Sequence, residues 1–270
     1  MAKGSATFTF IRHGESTDNV RSVWAGWADA TLTVHGMQQA QALAASFSST
    51  TRFDAILSSP LKRARMTAEE ILKQQPQSPQ LTISALLKER NFGVAEGKPT
   101  TWKRDFSVSL ADNVSSGIYP QLSGRSEKFP EGECLDDVAV RAAEAWKELL
   151  LPFVRNAAET GSPVHVAVVS HGIFIREAFR VLAAHDRDAD LSTANKDWLR
   201  NTGWTRVVVS EKEVEGAGEG LKADLTHFNE CPHLNGIKRQ KGGIGREAYD
   251  ARQKDIRNFF GNGVGRSGRR

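Results

Sequence analysis

Two histidines, His13 and His171, stand far apart in the chain but in matching surroundings, and residues of these types could handle a phosphoryl group. Each follows a short apolar run and precedes a glycine: Phe8-Thr9-Phe10-Ile11-Arg12-His13-Gly14-Glu15 in one case, Val166-Ala167-Val168-Val169-Ser170-His171-Gly172 in the other. β-Branched and aromatic runs that stop at glycine read as buried strands, each delivering its histidine at the carboxyl end. That end of an open α/β sheet is where ligands bind. One such histidine is most simply a packing residue. Two of them, one beside an arginine, point to a phosphate site.

Further motifs follow in order. Asn19 comes after the first histidine, then Gly26-Trp27-Ala28-Asp29, Leu32-Thr33 and Gly36-Met37-Gln38-Gln39-Ala40. Next are Ser58-Ser59-Pro60-Leu61-Lys62-Arg63-Ala64, the acidic stretch Leu87-Lys88-Glu89-Arg90-Asn91-Phe92-Gly93, and Phe129-Pro130-Glu131-Gly132-Glu133-Cys134. Together they resemble the histidine phosphatase superfamily, also called the phosphoglycerate mutase-like family, over roughly residues 6 to 235. The resemblance implies that His13 accepts the phosphoryl group and that Glu89 passes a proton to the leaving group and takes one from water. It also implies substrate contacts from Ser16, Asn19, Arg90 and Gly172. Glu15 reads as structural, fixing the loop or holding an arginine.

The chemistry of the residues agrees with that resemblance. A transferring phosphoryl group spreads charge over three oxygens, so it needs positive donors around an in-line nucleophile. Arg12, Arg63 and His171 supply them, the arginines through a planar fork that stays charged. Attack by a neutral His13 ring nitrogen would split hydrolysis into two easier steps through a phosphohistidine. Alone, Arg63 would read as part of a solvated helix face. Its motif raises it to a site residue. His35, His165, His185, His227 and His233 lack such context and read as surface or packing residues.

No His-Glu-x-x-His, Cys-x-x-Cys or Asp-rich calcium loop occurs, so neither metal nor cofactor is expected. Gly242-Gly243-Ile244-Gly245 follows no apolar strand and precedes no Gly-Lys-Ser/Thr, so it reads as a turn.

The elements expected to hold these residues alternate as a βαβ sheet requires. Strands are expected near 6–11, 54–58, 81–83, 164–169, 205–209 and 223–228, and helices near 34–48, 61–75, 134–158 and 173–184. Pro152 should kink or end the third helix. Glu211 to Gly220 reads as a mobile turn. The fold class is α/β, a mostly parallel sheet with helices on both faces, and by resemblance phosphoglycerate mutase-like. Residues 98–130, without periodicity, read as a cap insertion over the substrate. In it Lys103, Arg104, Arg125 and Lys128 could meet a second phosphate or carboxylate.

With 270 residues, 39% hydrophobic, the chain suits one α/β core, placed at 1–235, followed by a basic extension at 236–270. From His233 onward there are ten Lys or Arg against three Asp or Glu, so a chain of net charge +4 has a body of about −3. Arg246 to Phe260 could form a docked amphipathic helix through Tyr249, Ile256, Phe259 and Phe260, with a disordered tail beyond it. Arg239-Gln240-Lys241-Gly242-Gly243 resembles segments of fungal superfamily members. Two cysteines, no signal peptide and no apolar run near the ~18 residues of a membrane span suggest a cytoplasmic, or else nuclear, protein without membrane contact.

The acidic motif separates the branches. Mutases of the family typically carry Asn-Glu-Arg-His-Tyr-Gly, a paired arginine and a proline-rich stretch. Glu89-Arg90-Asn91-Phe92-Gly93-Val94-Ala95-Glu96-Gly97-Lys98 instead looks similar to fructose-2,6-bisphosphatase-like phosphatases. The resemblance thus implies a metal-independent phosphomonoesterase acting on a small phosphorylated metabolite, a sugar phosphate or bisphosphate. The alternatives are mutase-type transfer, or a weakly active binding module whose basic tail holds a partner, with nucleic acid a minor option.

Overall fold

The computed structural model describes residues 4–186, 189–191, 198–214, 218–241 and 243–252. In chain order the elements are β1 (Ser5–Arg12), α1 (Thr17–Arg21), α2 (Val34–Thr50), β2 (Ala55–Ser58), α3 (Lys62–Gln74), β3 (Gln80–Ile83), α4 (Leu110–Ser115) and α5 (Leu135–Ala145). They continue with α6 (Leu151–Thr160), β4 (Val164–Ser170), α7 (Gly172–His185), β5 (Trp204–Val214) and β6 (Gly218–Glu230). The six strands form one sheet in the order β3-β2-β4-β1-β5-β6. β1, β2, β3 and β4 run parallel, and β5 and β6 add an antiparallel edge.

Alternation along the central strands makes two cores, because successive side chains in a strand point to opposite faces. Ala6, Phe8, Phe10, Val166 and Val168 pack on one side with α5, α6 and α7; Ile11, Ala167 and Val169 pack on the other with α2 and α3. Both faces of β1 and β4 are therefore buried, which is why these strands read as near-continuous apolar runs. Trp146 anchors the first core, edge-on to Phe8 at 5.5 Å between ring centroids, with its indole N–H donating to the Ala178 carbonyl at 2.8 Å.

The single helix expected over 134–158 is two helices joined by a π turn at Trp146–Leu150. Pro152 cannot donate into the ladder, and the Leu151 N–H reaches back five residues to the Trp146 carbonyl, absorbing the break. The expected turn over 211–220 is largely strand: Glu211, Lys212, Glu213 and Val214 pair with Leu221, Gly220, Glu219 and Gly218. Cross-strand backbone bonds outweigh the loop-like composition there. Residues 98–130 contain α4, reciprocally capped by Ser109 and Asp112, and rest on a cluster of Trp24, Phe92, Ala95 and Phe129. Among the described residues no helix is long and apolar enough to cross a membrane.

The C-terminal segment is strapped to the body. Ala248 bridges Thr33, the Tyr249 N–H donates to the Leu32 carbonyl, and Tyr249 packs on Leu32, Met37 and Ala40. Tyr249 docks as expected, but residues 247–252 are extended or turned rather than helical. The backbone N–H of Val34 and the Leu32 carbonyl take this segment as an added strand-like partner. The expected contacts of Ile256, Phe259 and Phe260 lie outside the described residues.

His165 is buried near the start of the interior strand β4, its Nε2 2.8 Å from Thr9 Oγ1 and its ring edge-on to Phe53. Burial first, then the charge of Arg206, pushes its pKa down from 6.5 to about 3. The unfolded chain binds this proton first as the pH falls, so the contribution is complete above pH 6.5 and lost toward pH 3. Urea unfolding should show stability falling by on the order of 3–5 kcal/mol over that window, with a visibly shallower fall in His165→Gln. An unchanged slope in the variant would remove His165 as the cause.

Candidate active site

Three adjacent parallel strands end together and put the site residues in one place. Arg12 at the end of β1 is in register with Ser170 at the end of β4, and the His13 N–H donates to the Ser170 carbonyl at 3.0 Å. His13 and His171 thus leave neighbouring strands side by side, with ring centroids 5.1 Å apart. β2 ends next to β4, and the chain turns through Ser59-Pro60 into α3, whose first turn carries Arg63. The sheet's strand order does what sequence distance could not.

Both guanidiniums are held from behind by carbonyls. Arg12 Nη1 donates to Leu199 O at 2.6 Å, and Arg63, 1% exposed, donates through Nη1 and Nη2 to Ala28 O at 3.0 Å and Gly26 O at 2.7 Å. Gly26 has a left-handed backbone (φ +49°), and a Cβ there would strike the Glu96 carboxylate, so the carbonyl that receives Arg63 depends on glycine. The Nε atoms of Arg12 and Arg63 and the Nδ1 of His171 are buried with no hydrogen-bond partner among the described residues. Three donors without acceptors around one histidine make a seat for an anion.

The ring protons can be placed. His13 Nδ1 lies 2.7 Å from Gly14 O, which only accepts, so Nδ1 carries the proton and Nε2 keeps its lone pair. Burial, then Arg63 and Arg12, holds the His13 pKa well below 6.5, and the ring is neutral at pH 7. His171 Nε2 is 2.8 Å from Ser59 Oγ, which already accepts from the Leu61 N–H. A hydroxyl donating to Nε2 puts the His171 proton on Nδ1, the unpartnered atom. Burial, Arg63 and His13 also hold the His171 pKa well below 6.5. His171 therefore donates as a neutral imidazole, where the sequence reading counts it among positive donors.

Glu89 faces the same space from the loop after β3. Its Oε1 accepts from the Phe174 N–H at 3.2 Å and its Oε2 from the Ile173 N–H at 3.3 Å, both in the first turn of α7. Its backbone is fixed by Trp27 Nε1 and Arg141 Nη2, both donating to the Glu89 carbonyl. Gly172, the first residue of α7, lies beside the Arg12 Nε: a Cβ there would sit 3.8 Å from that atom.

The other residues tied to substrate by resemblance have structural partners. Ser16 is fully buried, and its hydroxyl and the Asn19 carboxamide cap α1 reciprocally. Asn19 Oδ1 also accepts from Asn201 Nδ2. Arg90 is buried, with Nε on Glu133 O and Nη2 on Glu127 O, so its fork ties the acidic loop to the insertion instead of pointing at a ligand. In the insertion, Arg104 pairs with Glu127, Arg125 with Glu177 and Asp136, and Lys128 with Asp137. Glu15 pairs with Arg239, the expected arginine-holding role with a partner from the C-terminal segment.

Sequence reasoning missed Asn201, which donates to the His13 carbonyl at 3.0 Å, and Thr67, which accepts from the Gly14 N–H. It missed Arg141, whose one signal is a charge between Val138 and Ala142 on the apolar face of α5. Among the described residues no group of three or more His, Cys, Asp or Glu converges as a metal site would require.

The sequence profile of the histidine phosphatase superfamily (branch 1) matches residues 8–217. The chain belongs to the histidine phosphatase superfamily. Within it, a probable phosphatase of Schizosaccharomyces pombe is 32% identical over 254 residues, covering 94% of this chain and 79% of that protein. Fructose-2,6-bisphosphatase TIGAR B of Danio rerio is 28% identical over 250 residues, 85% of this chain and 96% of its own length. Among solved structures, the phosphoserine phosphatase of Entamoeba histolytica in complex with 3-phosphoglyceric acid aligns with a TM-score of 0.57 at 25% identity, covering 85% of this chain and 99% of that one. As a histidine phosphatase with phosphatase-named relatives, the protein is a phosphatase-type enzyme.

A pH titration followed through the ring nitrogen shifts should find His13 neutral as the pH falls through 6.5. Arg63→Gln should move that titration upward, because it removes one of the charges that disfavour the proton. Protonation of His13 at or above pH 6.5 in the parent would contradict the assignment.

Proposed function

We propose that the chain is a phosphomonoesterase that hydrolyses a small phosphorylated metabolite, a sugar phosphate or bisphosphate, through a phosphohistidine on His13. One observation carries this reading: the Arg12 Nε, Arg63 Nε and His171 Nδ1 are buried without acceptors among the described residues, beside a neutral His13 whose Nε2 keeps its lone pair. A phosphoryl group bound there offers oxygens to all three donors and phosphorus to Nε2. Such preorganised donors stabilise charge as it develops, without reorganisation at the moment of reaction.

In the first step His13 Nε2 forms a bond to phosphorus while the ester P–O bond breaks, and a protonated Glu89 gives its proton to the leaving alkoxide. In the second, water attacks the phosphohistidine, Glu89 takes its proton, and the P–N bond breaks to release inorganic phosphate and neutral His13. Arg12 and Arg63 hold the charge of the phosphoryl oxygens in both steps. The position of Glu89 supports its part: its carboxyl is anchored on the first turn of α7, the helix that follows His171, within electrostatic reach of Arg12 and Arg63. Water as final acceptor follows from the similarity to phosphatases and the wording of the acidic motif.

Phosphate release from a panel of sugar phosphates and bisphosphates tests the reading. The parent should turn over, His13→Ala should lose on the order of 10³-fold or more, and Glu89→Gln roughly 10²–10⁴-fold. Rapid quenching should trap an acid-labile phosphoenzyme in the parent and none in His13→Ala. Isomerised phosphoester without free phosphate would instead assign mutase chemistry.

A further inference from the structure

The end of β1 is wrapped by the chain that leads into β5. Arg12 donates its N–H to the Gly203 carbonyl at 3.1 Å and its Nη1 to the Leu199 carbonyl at 2.6 Å. In return the Thr202 N–H is shared between the Arg12 carbonyl at 3.0 Å and the His13 carbonyl at 3.3 Å, and Asn201 Nδ2 reaches the same His13 carbonyl at 3.0 Å. Residues 199–203 thus hold the backbone of Arg12 and His13 together with one side of the Arg12 fork.

Thr202 makes these contacts in an unfavourable backbone. It is fully buried with φ +55°, the left-handed region, where a β-branched residue is an outlier and glycine would sit without strain. Residues held in such conformations persist because their surroundings over-determine them, and they gather at functional sites. What threonine adds over glycine here is a hydroxyl. Thr202 Oγ1 lies 2.7 Å from the Asn201 carbonyl and 2.9 Å from His233 Nε2, in the short helical turn Pro232–Leu234 that follows β6. The one hydroxyl proton goes to the carbonyl, which only accepts, so His233 Nε2 carries a proton and donates it to Oγ1. His233 Nδ1 is then the bare nitrogen, buried without a hydrogen-bond partner among the described residues. Burial, then Arg200, lowers the His233 pKa from 6.5 to about 4, so the ring keeps this neutral form near pH 7.

We infer that His233, acting through Thr202, is a positioning residue for His13: it fixes the turn that holds the Arg12 and His13 carbonyls, and so the direction in which the His13 ring presents Nε2. The inference rests on the proposed function for the step it affects, the attack of Nε2 on phosphorus. The strained turn and its hydrogen bonds stand independently of that step.

Variants of the full chain separate positioning from simple packing. His233→Gln keeps a donor where Nε2 stands, and His233→Phe keeps a ring and loses the donor. In single-turnover quenching at saturating substrate, His233→Phe should form the phosphoenzyme about tenfold more slowly, with steady-state KM within about twofold of the parent. His233→Gln should recover most of that rate. Thr202→Val, which keeps the β-branched shape, should lose a similar factor, and the double variant should lose no more than either single one. Thr202→Val also decides the matter if His233→Phe fails to fold. No loss of rate, a loss carried by KM, equal losses in His233→Gln and His233→Phe, or additive losses in the double variant would overturn the inference. The ring nitrogen resonances of His13 in the unliganded protein need no turnover. The parent should show the proton on Nδ1, and His233→Phe and Thr202→Val should move both ring resonances toward those of a tautomer mixture. Unchanged resonances in both variants would overturn the inference even where substrate is hydrolysed. A parent that releases no phosphate would instead remove the hydrolytic reading and leave the resonances to decide the positioning.

Discussion

Two guanidinium groups gathered out of bulk water at the ends of three parallel strands are the constraint on which the rest of this structure depends. Removing a charge from water costs several kcal/mol unless hydrogen bonds replace the lost solvation. Arg63 is buried and Arg12 is half-buried with a buried Nε, and burial disfavours the charged form of each while Glu89 favours it. Among the described residues neither guanidinium forms an ion pair with a carboxylate. Carbonyls of Leu199, Ala28 and Gly26 solvate the outer nitrogens and leave each Nε for a ligand. Burial first, and then the same positive field, keeps His13 and His171 neutral, so the setting that would bind an anion also keeps a lone pair on the nitrogen that would attack it.

That field has to be held in place, and much of the holding falls to further arginines. Arg141 ties α5 to the carbonyls of Leu86, Lys88 and Glu89 and to the carboxylate of Glu133. Arg90 joins the acidic loop to the insertion, and Arg125 joins the insertion to the buried Glu177 of α7. Arg239 reaches from the C-terminal segment to Glu15, two residues past His13. These contacts use the multiple donors of the fork to bind several backbone segments at once, which a lysine could not do. Arg176 stacks on Trp198 as Arg90 does on Phe92 and Arg141 on Phe174.

The strands were legible because β1 and β4 are buried on both faces, and that leaves an unbroken apolar run ending at a histidine. The six expected strands and the helices near 34–48, 61–75 and 173–184 all form. Legibility failed where backbone pairing overrides composition. The Glu/Gly-rich stretch extends an edge hairpin, the helix around Pro152 divides at a π turn, and residues 247–252 lie along Thr33 and Val34 instead of coiling.

Among the site residues, His13, His171, Arg12, Arg63 and Glu89 were visible in local motifs and do converge. Ser16 and Arg90 share those motifs but turn to other partners, since a motif records which residues are present and not which way they face. The sequence by itself determined the sheet, its family and which residues gather at the strand ends, because strand burial and short-range turn chemistry are written locally. Only the tertiary structure decided which guanidiniums keep an Nε without a partner among the described residues, which ring nitrogen holds each proton, and that Trp198 stacks on Arg176 beside Gly172. Each of those depends on hydrogen bonds and burial contributed by residues distant in the chain.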